Sequence, residues 1–137
     1  LRANGGYHGM NNDQTASLRS HLHFAAALWK TDPRSDAELL QAFVRDKEEQ
    51  AFAALVGRHG EMVWNVCLRV LRNATDAEDA FQAAFLRLAR DARRIRQPES
   101  LAGWLFHTAR CCALDLRRNL LRQRQHQEQW TDATGAT

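Results

Sequence analysis

The 137-residue chain holds no run of about eighteen apolar residues, which excludes a spanning helix. Its longest apolar patch, Phe24 to Trp29, is far too short. A charged-then-apolar start with a small-residue cleavage site is missing too, which argues against secretion. Cysteine is scarce: Cys67, Cys111 and Cys112 are an odd number, two of them adjacent, so they build no disulfide framework. A reducing cytoplasm is the expected compartment. Proline occurs twice and glycine seven times, with Gly5, Gly6, Gly9 and Gly135 near the ends, so the interior is free to be helical. There is no Gly-rich phosphate loop, no nucleophile elbow and no CxxC pair. His107 and Cys111 have a helical spacing that can hold a metal, but no further paired ligands accompany them. No catalytic residue, cofactor or metal is therefore expected, and the chain is not expected to be an enzyme.

What is present is arginine, and its placement is uneven. Seventeen of the nineteen basic residues are Arg, a side chain suited to bidentate phosphate recognition. The net charge of +3 hides four segments: +2 over 1–34, −2 over 35–90, +5 over 91–124 and −2 over 125–137. An acidic half followed by a basic block points to two different partners. A merely solvated arginine face is the alternative.

Residues 1–34 read as an N-terminal extension, polar and Gly-rich up to residue 16. Leu18, Leu22, Ala25 and Trp29 then fall at helical spacing over 17–30. The domain proper is expected over 35–124, with 125–137 a linker or tail. Ser35 and Glu38 have the capping-box form and open a short helix through Val44. A second helix is expected from about Glu48 to Arg72, with Gly57 and Gly60 as places where it bends or splits. Thr75 and Glu78 form a second capping box and open a third helix to about Ala92. A basic loop over 93–99 follows. Ser100 is expected to cap a fourth helix from Leu101 to about Arg122. The fold class is all-α, a small bundle of about four helices, with the stretch over 17–30 as an extra N-terminal helix.

At about 100° per residue, the third helix turns Ala77, Ala80, Phe81, Ala84, Phe85 and Leu88 inward. Asp79, Gln82, Ala83, Leu86 and Arg90 fall on the opposite side. Periodicity leaves two readings open for them, a solvated face with one stray Leu or a protein-binding face. On the fourth helix Leu101, Leu105, Thr108, Ala109, Cys112 and Leu116 form the inner stripe, with Trp104 at its edge. His107, Arg110, Leu114, Arg117, Arg118 and Leu121 point outward. Guanidinium groups beside an aromatic suit single-stranded or opening DNA, and surface solubilisers around an ordinary core Trp are the alternative.

The run from Asp76 to Leu86 (DAEDAFQAAFL) resembles the DAEDxxQexFl signature of sigma-70 family factors. Leu101 to Arg110 (LAGWLFHTAR), followed by Asp115 to Arg118 (DLRR), resembles that family's WLxxIAxN…DxxR helix. Asp36 to Leu40, Gln50 to Leu55, and Arg58 with His59 match its opening pattern. The short spacing resembles the extracytoplasmic-function (ECF) group, and the resemblance covers roughly Ser35 to Arg124. It implies region 2 of a sigma factor. Asp79, Gln82 and Leu86 would then meet the clamp helices of the RNA polymerase β′ subunit. Arg96, Gln97 and Ser100 would belong to the base-capturing loop. Trp104, His107, Arg110, Arg117 and Arg118 would belong to the helix that binds the non-template strand of the promoter −10 element and helps melt it. An anti-sigma factor is a further candidate partner. Two positions depart from the pattern: Ala83 stands where the family has Glu, and Cys111 where it has Asn. The family's region 4, a helix-turn-helix that reads the −35 element, has no counterpart in these residues. Either a longer factor or one unable to read a −35 box is expected. The rival readings are a truncated sigma-like module that binds polymerase or an anti-sigma factor without promoter recognition, and a plain duplex-binding regulator.

Overall fold

The computed structural model describes residues 32–135, with side chains through Asp132. The candidate helix over 17–30 lies outside the described residues. Every described element is helical, as expected: α1 (Asp36–Asp46), α2 (Glu49–Leu71), α3 (Ala74–Asp91), two 3-10 turns (Ala92–Arg94 and Pro98–Ser100) and α4 (Leu101–Gly135).

The local chemistry of the helix ends explains the boundaries. Glu38 N–H donates to Ser35 Oγ at 3.1 Å and Ser35 N–H to Glu38 Oε1 at 2.9 Å, closing the expected capping box. Donation from Ser35, its backbone N–H foremost, holds the Glu38 carboxyl below its usual range. Lys47 and Arg72 end α1 and α2 in the left-handed region, at φ 53° and 56°. The start of α3 differs from expectation. Asn73 is the N-cap, its Oδ1 accepting from Asp76 N–H at 3.0 Å. The helix thus begins before Thr75, which falls inside its first turn. Ser100 caps nothing either. It closes the second 3-10 turn, with its N–H donating to Gln97 O at 2.9 Å, and the chain runs straight into α4. α2 does not split: Gly57 and Gly60 lie buried within one continuous helix. α4 passes the expected end at Arg122 and continues to Gly135, exposed from Leu121 through Asp132.

The core forms where the four apolar stripes meet. Leu39, Leu55, Val63, Cys67, Leu88, Leu101 and Leu105 are fully buried. A chain of rings links the first three helices. Phe43 and Phe52 lie 4.8 Å apart, Phe52 and Phe85 6.5 Å, Phe81 and Phe85 5.0 Å, and Trp64 and Phe81 6.2 Å. α4 packs on both α2 and α3 through Leu105, Ala109, Cys112 and Ala113. Burial pushes the Cys67 thiol up to about 12 and raises Cys112 as well.

A polar clasp fixes the start of α1 to α2. Arg58 donates to Asp36 Oδ1 at 3.0 Å and to Asp32 O at 3.2 Å. Buried His59 holds Asp36 Oδ2 at 2.9 Å through Nε2. Arg34 bridges Asp32 and Glu48, at 3.0 and 2.8 Å, and pulls the Asp32 carboxyl below its usual range. No described helix is long and apolar enough to cross a membrane.

Candidate nucleic-acid interface

The same helical period that buries Ala77, Ala80, Phe81, Ala84, Phe85 and Leu88 of α3 turns the other side of that helix outward. Asp79, Gln82, Ala83 and Leu86 are all exposed there, and Leu86 is 70% exposed. A leucine so exposed, one turn beyond an amide and two beyond a carboxylate, makes a small amphipathic patch. Burial and the neighbouring Asp79 raise the Asp76 carboxyl at the start of this helix.

The loop and α4 form the second face. Arg96, Gln97 and Ser100 are exposed on the loop. On α4, His107, Arg110, Arg117 and Arg118 are exposed, and from His107 to Arg118 they run about 16 Å along the axis at ~1.5 Å per residue. Among the described residues, Arg93, Arg94, Arg96, Arg110 and Arg117 form no ion pair. Their guanidinium groups are available to an outside anion. Arg118 differs, because it is paired with Asp115 on its own helix. Arg122 donates to Asn119 Oδ1 at 2.9 Å.

Trp104 is half-buried and packed against the core. Leu114, read as outward, is also half-buried. Phe106, absent from the candidates drawn from sequence, is 47% exposed. Its helical angle beside Arg110 was the available signal. His107 Nε2 lies 3.7 Å from Cys111 Sγ. Among the described residues no group of three or more His, Cys, Asp or Glu is placed to hold a metal.

Two further features come only from the packing. A groove runs between α1 and the loop, with Leu40, Val44, Ile95 and Pro98 in its walls and Arg45 and Arg93 beside them. Near the end of α3, Arg87 and Arg90 come close enough to Cys112 for their charge to act on its thiol. Arg90 is itself held by Asp91 at 2.9 Å. The basic loop thus has Arg45 of α1 beside it, and Arg90 at the end of α3 stands near Arg93. Such an arrangement is chemically suited to an extended polyanion met through guanidinium groups.

The family described as sigma-70 region 2 matches residues 55–125, just over half of the chain. RNA polymerase sigma factor CarQ of Myxococcus xanthus is 34% identical over 82 residues, which is 60% of this chain and 45% of that protein. The chain therefore spans less than half the length of that curated relative. No solved structure matches. The matched residues take in most of α2, all of α3, the loop and the basic part of α4, where both exposed faces lie. A family match over that span, together with an all-helical bundle, makes the chain a member of the sigma-70 family of sigma factors, with its region 2 over residues 55–125.

Proposed function

We propose that the chain acts in transcription initiation as region 2 of a sigma factor of the ECF group, within a domain over residues 35–124. In this reading Asp79, Gln82 and Leu86 on α3 meet the β′ clamp helices of RNA polymerase. Arg96, Gln97 and Ser100 of the loop, with Trp104, His107, Arg110, Arg117 and Arg118 of α4, receive the non-template strand of the promoter −10 element. The observation that carries the reading is the separation of two unlike surfaces. An apolar residue stands exposed beside an acid and an amide on α3, while Arg96, Arg110 and Arg117, on the loop and α4, have no ion pair among the described residues.

The work is done by binding energy. Arg–phosphate contacts hold the strand. Contacts to unstacked bases offset the opening of the duplex, which costs a few kcal/mol per flipped base. Arg118 must exchange Asp115 for phosphate, so its net gain is smaller than that of Arg110 or Arg117.

A crossed pair of variants tests this assignment. Gln82→Ala with Leu86→Asp is expected to weaken capture of core polymerase and leave binding to a −10-like single strand unchanged. Arg110→Ala with Arg117→Ala is expected to do the reverse. All four positions are exposed, so both variants should keep the wild-type helical signal in circular dichroism. Polymerase capture without any strand binding would favour a module that has lost promoter recognition. Tight duplex binding without polymerase would favour a plain DNA-binding regulator.

A further inference from the structure

We infer that His107 Nε2 and Cys111 Sγ form a two-donor site for a thiophilic divalent cation of the zinc type, on the outer side of α4. The pair exists because this chain carries Cys where the family pattern has Asn. Residues four apart on a helix are neighbours on one face, and here the two donor atoms stand 3.7 Å apart. Zinc binds a thiolate at about 2.3 Å and an imidazole nitrogen at about 2.0–2.1 Å, so tetrahedral geometry sets two such donors about 3.5–3.6 Å apart. The separation in α4 is thus already close to that of a ligand pair. With the ring proton on Nδ1, Nε2 offers its lone pair as a donor. The thiol gives up its proton to solvent as it coordinates.

Access and ligand chemistry define the site further. His107 is exposed and Cys111 partly exposed, so an ion can reach both donors. Asp115 lies one turn beyond Cys111, but Arg118 holds its carboxylate. The site therefore has two protein donors and leaves two positions to water, unlike a closed structural zinc site. A thiolate with an imidazole favours zinc-type ions over magnesium or calcium, which take oxygen donors. Occupancy has a consequence that rests on the proposed strand-binding role of α4. A coordinated His107 no longer meets the strand, and the hydrated ion stands on the same turn as Arg110. Ion and strand then compete for this turn of the helix.

The test uses the whole chain, freed of metal by a chelator, with Zn2+ or Co2+ added alone. One ion per chain is expected, with a thiolate-to-cobalt charge-transfer band in the ultraviolet. Zn2+ should also protect Cys111 from alkylation. His107→Ala and Cys111→Ser should each lose the band and weaken Zn2+ binding by at least roughly 10- to 100-fold, the loss that removal of a merely supporting group already causes. Cys111→Ser keeps a hydrogen-bonding group opposite the imidazole, so a simple contact between the two side chains would not account for that loss. Both positions lie outside the buried core, so the helical circular dichroism should be kept. No band in the wild-type chain, binding that survives both substitutions, or one ion per two chains would overturn the site. On a −10-like single strand, Zn2+ should weaken binding several-fold in the wild-type chain and not in Cys111→Ser. Equal or tighter wild-type binding with Zn2+ would overturn the competition alone. Failure of the metal-free chain to bind the strand would overturn the competition together with the strand-binding reading, while the cobalt band still decides the site.

Discussion

At the scale of single residues, the three cysteines show how position decides chemistry. Cys67 and Cys112 are buried, and burial raises both thiols, Cys67 to about 12. At neutral pH they stay protonated and inert. Cys111 is partly exposed on the basic side of α4, with His107 Nε2 at 3.7 Å. Brief treatment of the native chain with an alkylating reagent should therefore modify Cys111 alone, as read by peptide mass spectrometry. Cys67 and Cys112 should react only after unfolding. Equal labelling of all three in the native state would contradict the burial seen here. Trp64 shows the opposite situation, a polar group enclosed without a partner. It is 3% exposed, and its indole N–H finds no hydrogen-bond acceptor among the described residues. An unsatisfied buried donor costs about 1–3 kcal/mol, which the ring's contact with Phe81 helps to offset.

Among the elements, α3 is where local sequence signals compete. Thr75 and Glu78 have the spacing of a capping box, yet Asn73 lies two residues earlier and captures Asp76 N–H. Asn73 directly follows Arg72, whose left-handed backbone ends α2. Asn73 is already extended there, at φ −140° and ψ 125°, as an N-cap requires. Asn73→Ala is expected to cost about 1 kcal/mol of stability, while Thr75→Ala should cost distinctly less. Thermal or denaturant unfolding of the two variants checks the order. A larger loss for Thr75→Ala would place the cap where the sequence spacing puts it. α2 presents a similar contrast. Glycine weakens a helix interior, but Gly57 and Gly60 are buried against neighbours, and tertiary packing keeps the helix continuous.

Across the whole molecule, charge is partitioned by pairing as well as by position. Around the start of α1, Asp32, Asp36 and Glu48 are neutralised by Arg34 and Arg58 in the clasp with α2. In the basic block, by contrast, Arg93, Arg94, Arg96, Arg110 and Arg117 have no ion-pair partner among the described residues. The net charge of +3 understates the field at that surface. Strand binding should fall with salt, with a slope of about 0.7 per phosphate neutralised on a single strand. Arg117→Ala should lower that slope by about one phosphate, and Arg118→Ala by less, because Arg118 is already engaged by Asp115. Titrations at several salt concentrations measure both slopes. Equal losses would show that the Asp115–Arg118 pair gives way fully to phosphate.

Much of this protein was legible in its residues. The order of the four helices, the inward stripes of α3 and α4, and the outward Asp79, Gln82, Leu86, His107, Arg110 and Arg117 all follow from apolar spacing. Spacing sets the angle of a side chain around its own helix. That angle does not say how deep the side chain lies or what it meets, since both depend on neighbouring elements. Only the tertiary structure therefore placed Trp104 against the core, left Phe106 exposed, and carried α2 unbroken past its two glycines. It also set the basic loop beside Arg45 of α1, because a linear sequence does not record which helices a loop returns to.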